Sequence, residues 1–143
     1  MTSLIFPDIN VWVAFHHEIH IHHSAATRWF ASQDDAATFA FCRQTQTGFF
    51  RLMTTEAILG PDVLTQRQCW TIYDRWTLDG KAVLAGEPRG LEAALRLRTS
   101  ADSPSPKTWM DAYLAAFAET ANMTLVTFDR VLAGKVDGVV LLT

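Results

Sequence analysis

Short, uninterrupted apolar runs that alternate with segments of helical spacing constrain the fold of this chain more than any other feature. The runs span residues 4–7, 38–42, 82–84, 123–128 and 139–142. Parallel strands are buried on both faces and therefore read as continuous apolar runs, whereas half-exposed strands alternate apolar and polar residues. The pattern predicts an α/β fold, namely a three-layer α/β/α domain with a mostly parallel central sheet of about four to five strands.

The segments between these runs have the composition and spacing of helices. They predict helices over residues 10–15, 24–31, 43–53, 64–78, 91–97 and 107–121. For the last of these, Ser105 is a candidate N-cap, and Pro106 occupies the first helical position, where proline is favoured. No internal repeat or domain boundary interrupts the pattern, so we expect residues 1–143 to form a single domain.

Composition and charge exclude several classes of protein. The chain has 143 residues, of which 49% are hydrophobic, and it contains no apolar stretch long enough to span a bilayer and no N-terminal secretion signal. We therefore expect a cytoplasmic protein with no membrane partner. Cys42 and Cys69 occur singly in apolar surroundings, which predicts free core thiols. The net charge of −3 argues against a non-specific nucleic-acid coat protein, so any RNA contact must be local or metal-mediated.

Three aspartates stand where such a fold brings side chains together. Asp8 and Asp129 directly follow predicted strands, and open α/β sheets bind ligands at the carboxyl ends of their strands. Asp111 shares a helix face with the apolar residues Leu114 and Ala115, so it lies on the buried stripe. Taken singly, Asp8 could cap a helix, Asp129 could open a turn and Asp111 could pair with a basic side chain.

Together, these carboxylates predict a cation site. Two carboxylates 4 Å apart repel by about 4 kcal/mol at an effective dielectric constant near 20, so three of them in one crevice need a positive charge. Oxygen ligands without converging cysteines or histidines select Mg²⁺ or Mn²⁺ over zinc. Such an ion can activate water and stabilise an in-line phosphoryl displacement.

Five segments of the chain resemble the PIN-domain ribonucleases, and specifically the VapC-type toxins of bacterial toxin–antitoxin pairs. The similarity covers nearly the whole chain in the family's order, and its motifs lie at residues 7–12, 20–29, 48–52, 109–116 and 125–129. It implies a PIN-like fold and a Mg²⁺-dependent endoribonuclease that acts on RNA. It also implies a homodimer and a cognate VapB-type antitoxin that occupies the active site.

Carried over position by position, the resemblance implies catalytic and metal-binding roles for Asp8, Asp111 and Asp129. It implies that Asn10 and Thr127 are polar residues that support the site.

One departure from the family pattern concerns a fourth carboxylate. Many PIN domains carry a glutamate three residues before the arginine that Arg51 matches, and here that position is Gly48. Water, Gln46 or Thr45 completes the metal shell, or the metal binds weakly, or activity is lost. Glu56 lies beyond the expected helix and is a poor substitute.

Two groups of basic side chains have open interpretations. The five histidines between residues 16 and 23 form a structural elbow or contact RNA, since no matching Cys or His elsewhere completes a zinc site. Arg43 and Arg51 flank the segment that contains Gly48, and both are candidate contacts for an RNA phosphate or for the antitoxin.

Two alternative functions compete with the nuclease. The missing carboxylate at Gly48 suggests a catalytically degenerate PIN-fold binding module. Asp8 and Asn10 after a strand also resemble the nucleophile loop of haloacid-dehalogenase-like phosphohydrolases, although that chemistry expects a second aspartate in place of Asn10.

Overall fold

A computed structural model describes residues 4–143, in which five strands form one parallel sheet. The strands are β1 (Leu4–Pro7), β2 (Thr38–Phe41), β3 (Ala82–Leu84), β4 (Thr124–Thr127) and β5 (Val140–Leu141). Their order is β3-β2-β1-β4-β5, and every neighbouring pair is parallel. The predicted α/β fold with a parallel sheet of four to five strands is confirmed.

Eight α-helices accompany the sheet, and the six that were predicted begin and end within two residues of their expected bounds. The helices are α1 (Ile9–His16), α2 (His23–Ala31), α3 (Arg43–Met53), α4 (Glu56–Leu59), α5 (Gln66–Leu78), α6 (Leu91–Arg98), α7 (Thr108–Ala121) and α8 (Arg130–Ala133). The four-residue helices α4 and α8 were not predicted, because one turn is too short to show a period. Within residues 4–143, no helix has the length and apolar character needed to cross a membrane.

Side chains that alternate along the strands build a separate core on each face of the sheet. Phe39 and Phe41 of β2 pack on one face with α1, α3 and α5, whereas Ala40 and Cys42 pack on the other with α6 and α7. Because successive residues of a strand point to opposite faces, one apolar run supplies both cores. The result is the predicted three-layer architecture.

The two cysteines belong to different cores. Cys42 lies on the α7 face of the sheet and Cys69 lies on the α1 face, and both are buried and free. The prediction of free core thiols is confirmed.

The predicted cap of the longest helix is wrong. Helix α7 begins at Thr108 with Lys107 at the N-cap, and Ser105 lies in the preceding turn at a φ of 40°. The Ser105 carbonyl accepts a hydrogen bond from the Thr108 amide (3.2 Å), while its hydroxyl contacts Ser103 (2.6 Å). The Ser105 hydroxyl is therefore paired within the turn and does not cap the helix, and Pro106 lies before the N-cap instead of at the first helical position.

Trp12 is the centre of the core on the α1 face. Its side chain is 0% exposed, and its ring stacks on Phe41 with a centroid distance of 4.2 Å and meets the edge of Trp76 at 5.0 Å. Aromatic pairs of this geometry stabilise a core beyond the area that they bury. Helix α1 is thus held to the sheet mainly through Trp12.

Replacing Trp12 by alanine should lower the free energy of unfolding by about 3–5 kcal/mol, because a large buried ring is lost and a cavity remains. Urea denaturation followed by circular dichroism measures the change. Trp109→Ala is the matched control, because Trp109 is 53% exposed, and it should change stability by less than about 0.5 kcal/mol. Equal effects in the two variants would contradict this description of the core.

Candidate functional site

The buried hydroxyl of Thr127 joins the ends of the two central strands. β1 and β4 pair in parallel with Pro7 opposite Val126, and the Asp8 amide donates to the Val126 carbonyl (2.8 Å). One residue further along each strand, Thr127 Oγ1 donates to Asp8 Oδ2 (2.8 Å). Thr127 is 0% exposed, so this bond fixes the Asp8 carboxylate at the carboxyl edge of the sheet.

The same hydroxyl also accepts two hydrogen bonds. The Asp129 amide donates to Thr127 Oγ1 at 3.0 Å, and Asn10 Nδ2 donates to it at 3.4 Å. Asn10 Oδ1 in turn accepts from the Phe128 amide at 3.4 Å. The structure therefore brings Asn10 and Thr127 into direct contact with each other and places both beside Asp8 and Asp129.

Two of the candidate aspartates also cap helices. Asp8 Oδ1 accepts from the Ile9 amide (2.7 Å) at the start of α1. Asp129 Oδ1 accepts from the amides of Val131 (2.8 Å) and Leu132 (3.3 Å) at the start of α8. A carboxylate oxygen has more than one lone pair, so capping leaves acceptor capacity for a further ligand.

The pKa values of Asp8 and Asp111 show that the three carboxylates lie within electrostatic reach of one another. Burial raises the pKa of Asp8 most; the bonds from Thr127 and Ile9 oppose this, and the charges of Asp111 and Asp129 raise it further. Burial also raises the pKa of Asp111, where the charge of Asp129 adds to the effect and Lys135 opposes it. Unneutralised negative charge has therefore accumulated at this edge of the sheet.

The three carboxylates do not form a closed ligand cage. Among the described residues, none of them makes an ion pair with a basic side chain. Nor does any group of three or more His, Cys, Asp or Glu side chains in residues 4–143 have an arrangement that could hold a metal ion directly. The three aspartates are therefore not preformed as direct ligands of one ion in this arrangement.

A side chain at Gly48 would first meet Ile9 of α1. A Cβ atom at Gly48 would lie 2.3 Å from Ile9 Cδ1 and 3.2 Å from Ile9 Cγ1, so this position faces α1 at close contact. Glu56, the other residue considered, starts α4 and is exposed. The absence of a side chain at Gly48 lets α3 pack closely on α1. A glycine at this position therefore has a structural explanation that does not involve the metal.

The two polar neighbours that were suggested as replacements have different partners. Thr45 Oγ1 accepts from the Cys42 amide (3.0 Å) and donates to the Cys42 carbonyl (3.1 Å), so it is used to cap α3. Gln46 is 1% exposed, and its Oε1 accepts from Arg43 Nη1 (2.7 Å). Gln46 thus positions an arginine at this edge of the sheet.

The two candidate arginines lie at opposite ends of α3. Arg43 begins the helix at the carboxyl edge of the sheet and is exposed. Arg51 is eight residues further on, about 12 Å along the helix axis, and is also exposed. Of the two, Arg43 is therefore the one that lies at the carboxyl edge of the sheet.

Two histidines of the elbow have structural roles. His16 Nδ1 pairs with the Trp12 carbonyl (2.8 Å) while its Nε2 accepts from Trp76 Nε1 (3.1 Å), and burial lowers the His16 pKa to about 4. This ring is therefore neutral at physiological pH, with its proton on Nδ1. His23 Nδ1 pairs with the Ala14 carbonyl (2.8 Å), which ties α2 to α1.

The other end of the elbow packs against the site. The His22 ring stacks on Phe128 with a centroid distance of 4.4 Å and an interplanar angle of 11°, and Phe128 immediately precedes Asp129. His20 Nδ1 accepts from the His22 amide (3.0 Å) and holds the loop in this position. An RNA contact by these histidines stays a prediction.

A second polar pair at the same edge was not predicted. The Tyr113 hydroxyl donates to Glu87 Oε2 (2.8 Å), and burial followed by this bond raises the Tyr113 pKa. Glu87 comes three residues after β3, and the strand-end reasoning that identified Asp8 considered only residues that directly follow a strand. Tyr113 offered no comparable signal.

The chain is similar to known ribonucleases over most of its length. It is 42% identical over 130 residues to Ribonuclease VapC41 of Mycobacterium tuberculosis, and the match covers 88% of this chain and 89% of that protein in each of two strains. The chain belongs to the VapC ribonucleases. It is therefore a hydrolase, and the resemblance stated from the motifs is confirmed. No protein-family model matches the chain.

Solved structures support the VapC fold. The crystal structure of M. tuberculosis VapC20, a sarcin-ricin loop cleaving toxin, has a TM-score of 0.63 and 14% identity and covers 91% of this chain and 93% of its own. FitAcB of Neisseria gonorrhoeae has a TM-score of 0.52 and 18% identity and covers 96% of both chains. At these identities the likeness concerns the fold alone.

Replacing Asp111 by asparagine should stabilise the metal-free protein at neutral pH. The raised pKa means that the folded state holds the Asp111 proton more tightly than the unfolded chain does, so the charged form destabilises the fold as the pH rises above the ordinary value of 3.8. Thermal unfolding in EDTA should show a higher midpoint for Asp111→Asn at neutral pH and no difference near pH 4. Asp74→Asn, at an exposed site on α5, is the control. A lower midpoint for Asp111→Asn at neutral pH would contradict the raised pKa of Asp111.

Adding a side chain at Gly48 should destabilise the protein through Ile9. Gly48→Ala improves helix propensity by up to about 1 kcal/mol, but overpacking typically costs about 1–3 kcal/mol. Removing Ile9 Cδ1 by Ile9→Val should relieve the contact, so that Gly48→Ala is better tolerated in the Ile9→Val background than in the native chain. Urea unfolding of the four proteins measures this coupling, and additive effects would show that the two residues do not meet.

Proposed function

We propose that this VapC ribonuclease is a Mg²⁺-dependent endoribonuclease that acts as the toxin of a toxin–antitoxin pair. One observation carries the proposal: Asp8, Asp111 and Asp129 accumulate negative charge at the carboxyl edge of the sheet without an ion-pair partner in residues 4–143. Burial, and then the mutual repulsion of the carboxylates, raise the pKa values of Asp8 and Asp111, and a cation would stabilise the charged carboxylates against both effects.

The donor set fits Mg²⁺ bound partly through water. Mg²⁺ usually keeps several waters and binds through one or two carboxylates, so a closed cage of three direct ligands is not required. In this proposal Asp8, Asp111 and Asp129 hold the ion directly or through water, and Mn²⁺ is accepted because it shares the preference for oxygen ligands. The cap bonds of Asp8 and Asp129 keep both carboxylates oriented.

The protein side chains contribute to the reaction by holding the metal-binding carboxylates in fixed orientations. When bound, Mg²⁺ supplies an activated water and charge stabilisation for in-line displacement at the RNA phosphate. Thr127 holds Asp8 through its hydroxyl, and Asn10 holds the backbone before Asp129 through the Phe128 amide. Preorganised carboxylates of this kind avoid reorganisation at the moment of reaction.

Family membership supports the partners in this proposal. VapC20, which shares the fold, is a toxin that cleaves an RNA loop. We propose the same kinds of partner for this chain, namely an RNA substrate, a VapB-type antitoxin that covers the aspartates, and a second copy of the chain in a homodimer. Arg43 and Arg51 would contact the RNA phosphate or the antitoxin. The cytoplasmic location expected from the sequence belongs to the same proposal.

Membership of a ribonuclease family also bears on the alternatives. It does not support the haloacid-dehalogenase-like phosphohydrolase. The binding-only module was motivated by Gly48, and Gly48 has a packing reason in its contact with Ile9. The observation that favoured a degenerate site therefore has another explanation.

Cleavage of RNA by the purified, partner-free protein tests the proposal. We expect cleavage with Mg²⁺ or Mn²⁺, none with EDTA, and a loss of at least about a hundredfold in Asp8→Asn and Asp111→Asn. Thr127→Val should lose about 10–100-fold because Asp8 is no longer held, whereas Thr127→Ser keeps the hydroxyl and should retain most of the activity.

Asp74→Asn serves as the control for a charge change away from the site. Circular dichroism establishes that each variant is folded before its activity is compared. Full activity in EDTA, or in Asp111→Asn, would reject the metal mechanism. No cleavage by a folded native protein that binds an antitoxin would favour the binding-only module.

A further inference from the structure

A small cavity with apolar walls and three polar side chains lies at the carboxyl edge of the sheet, on the β3 side of the three aspartates. Its volume is about 270 Å³, and it is lined by Arg43, Leu84, Ala85, Gly86, Glu87, Tyr113 and Phe117. These residues come from the start of α3, from the end of β3 and the loop after it, and from α7. None of them takes part in the metal site proposed above.

The cavity and the three aspartates lie at the same edge of the sheet. The order β3-β2-β1 places the end of β3 two strand spacings, about 10 Å, from the end of β1, which Asp8 follows. Helix α7 contributes to both regions, because Asp111 lies within electrostatic reach of Asp129 and the Tyr113 hydroxyl donates to Glu87. Gln44 Nε2 contacts Met110 Sδ at 3.5 Å, so the first turns of α3 and α7 meet. An RNA strand with a phosphate at the aspartates can therefore place a neighbouring nucleotide at the cavity.

Two side chains of opposite charge line the cavity. Arg43 has no ion-pair partner among residues 4–143, and its Nη1 donates to the buried Gln46, which orients the guanidinium and leaves its other donors available to a phosphate. Glu87 is exposed and accepts one hydrogen bond, from Tyr113. The raised pKa of Tyr113 keeps its hydroxyl protonated as the donor.

A carboxylate only accepts hydrogen bonds, which restricts the base that it can recognise. Guanine offers two adjacent donors on its Watson–Crick edge, N1–H and the 2-amino group. Uracil offers one donor between two carbonyls, and in adenine and cytosine the amino group stands beside an acceptor nitrogen that would face the carboxylate. Single-stranded RNA is commonly read on this edge.

We propose that this cavity binds a guanine base of the RNA substrate next to the cleaved phosphate. Glu87 accepts from the Watson–Crick edge, Arg43 contacts the adjoining phosphate, and Tyr113 is a positioning residue that holds Glu87. The inference rests on the ribonuclease function proposed above and adds a base specificity to it.

Binding to metal-free protein tests the cavity without relying on cleavage. The probes are short fluorescent oligouridylates that contain one guanosine, one inosine or one adenosine, and the measurement is anisotropy in EDTA. Inosine lacks the 2-amino group but is otherwise guanosine-like. The native protein should bind the guanosine probe about tenfold or more tightly than the inosine probe, as expected for a lost hydrogen bond to a charged group.

Variants assign the discrimination to particular side chains. Glu87→Gln should bind the guanosine and inosine probes nearly equally, and Tyr113→Phe should reduce the ratio because Glu87 is no longer held. Arg43→Ala should weaken all probes by a similar factor and leave the ratio unchanged, as a phosphate contact does. Glu92→Gln, an exposed carboxylate on α6, is the matched control and should behave as the native protein.

Cleavage of a random RNA pool separates this inference from the proposed function. If the native protein cleaves with Mg²⁺, sequencing of the ends should show guanine enriched at one fixed distance from the cut, and the enrichment should be lost in Glu87→Gln. Cleavage with the same base preference in Glu87→Gln would overturn the inference and leave the ribonuclease intact. If no cleavage occurs, equal affinity of the native protein for the guanosine and inosine probes overturns the inference, and a ratio that depends on Glu87 supports it.

Discussion

The hydrogen bond from Thr127 to Asp8 is the interaction on which the arrangement of the site depends. It joins two residues that are 119 positions apart in the chain, at the ends of the two central strands. The same hydroxyl receives Asn10 and the Asp129 backbone, so one buried atom orients three polar residues. A shift of one residue in the pairing register of β1 and β4 would turn Thr127 to the other face of the sheet and break its hydrogen bond to Asp8.

Helix α1 connects this site to the hydrophobic core. Asp8 caps the helix at its first residue, and Trp12, one turn later, is the centre of the aromatic cluster on that face of the sheet. The close contact between Gly48 and Ile9 brings α3 onto the same helix. Because the core holds α1 in place, the capping carboxylate stays at the crevice despite the repulsion from Asp111 and Asp129.

The carboxyl edge of the sheet divides into regions of different chemistry. The β1 and β4 ends carry the acidic crevice, and the β2 and β3 ends carry Arg43, Glu87 and the cavity between them. Under the proposed function, this division accounts for RNA binding by a chain with a net charge of −3. A bound cation and a single oriented arginine would then supply the affinity for phosphate locally, without a general excess of positive charge.

The layers, the strands and the positions of the aspartates at strand and helix ends could be predicted from the amino-acid sequence. Those predictions rest on local patterns, since burial on both faces produces continuous apolar runs such as that before Asp8 and a period of 3.6 places Asp111 on an apolar face. Which side chains contact one another depends on the tertiary structure. The tie between Thr127 and Asp8, the contact of Gly48 with Ile9, the use of Thr45 as a cap and the pairing of Tyr113 with Glu87 all join side chains through packing and chain turns. A local pattern carries no information about such contacts, because their energy depends on how separate elements pack against each other.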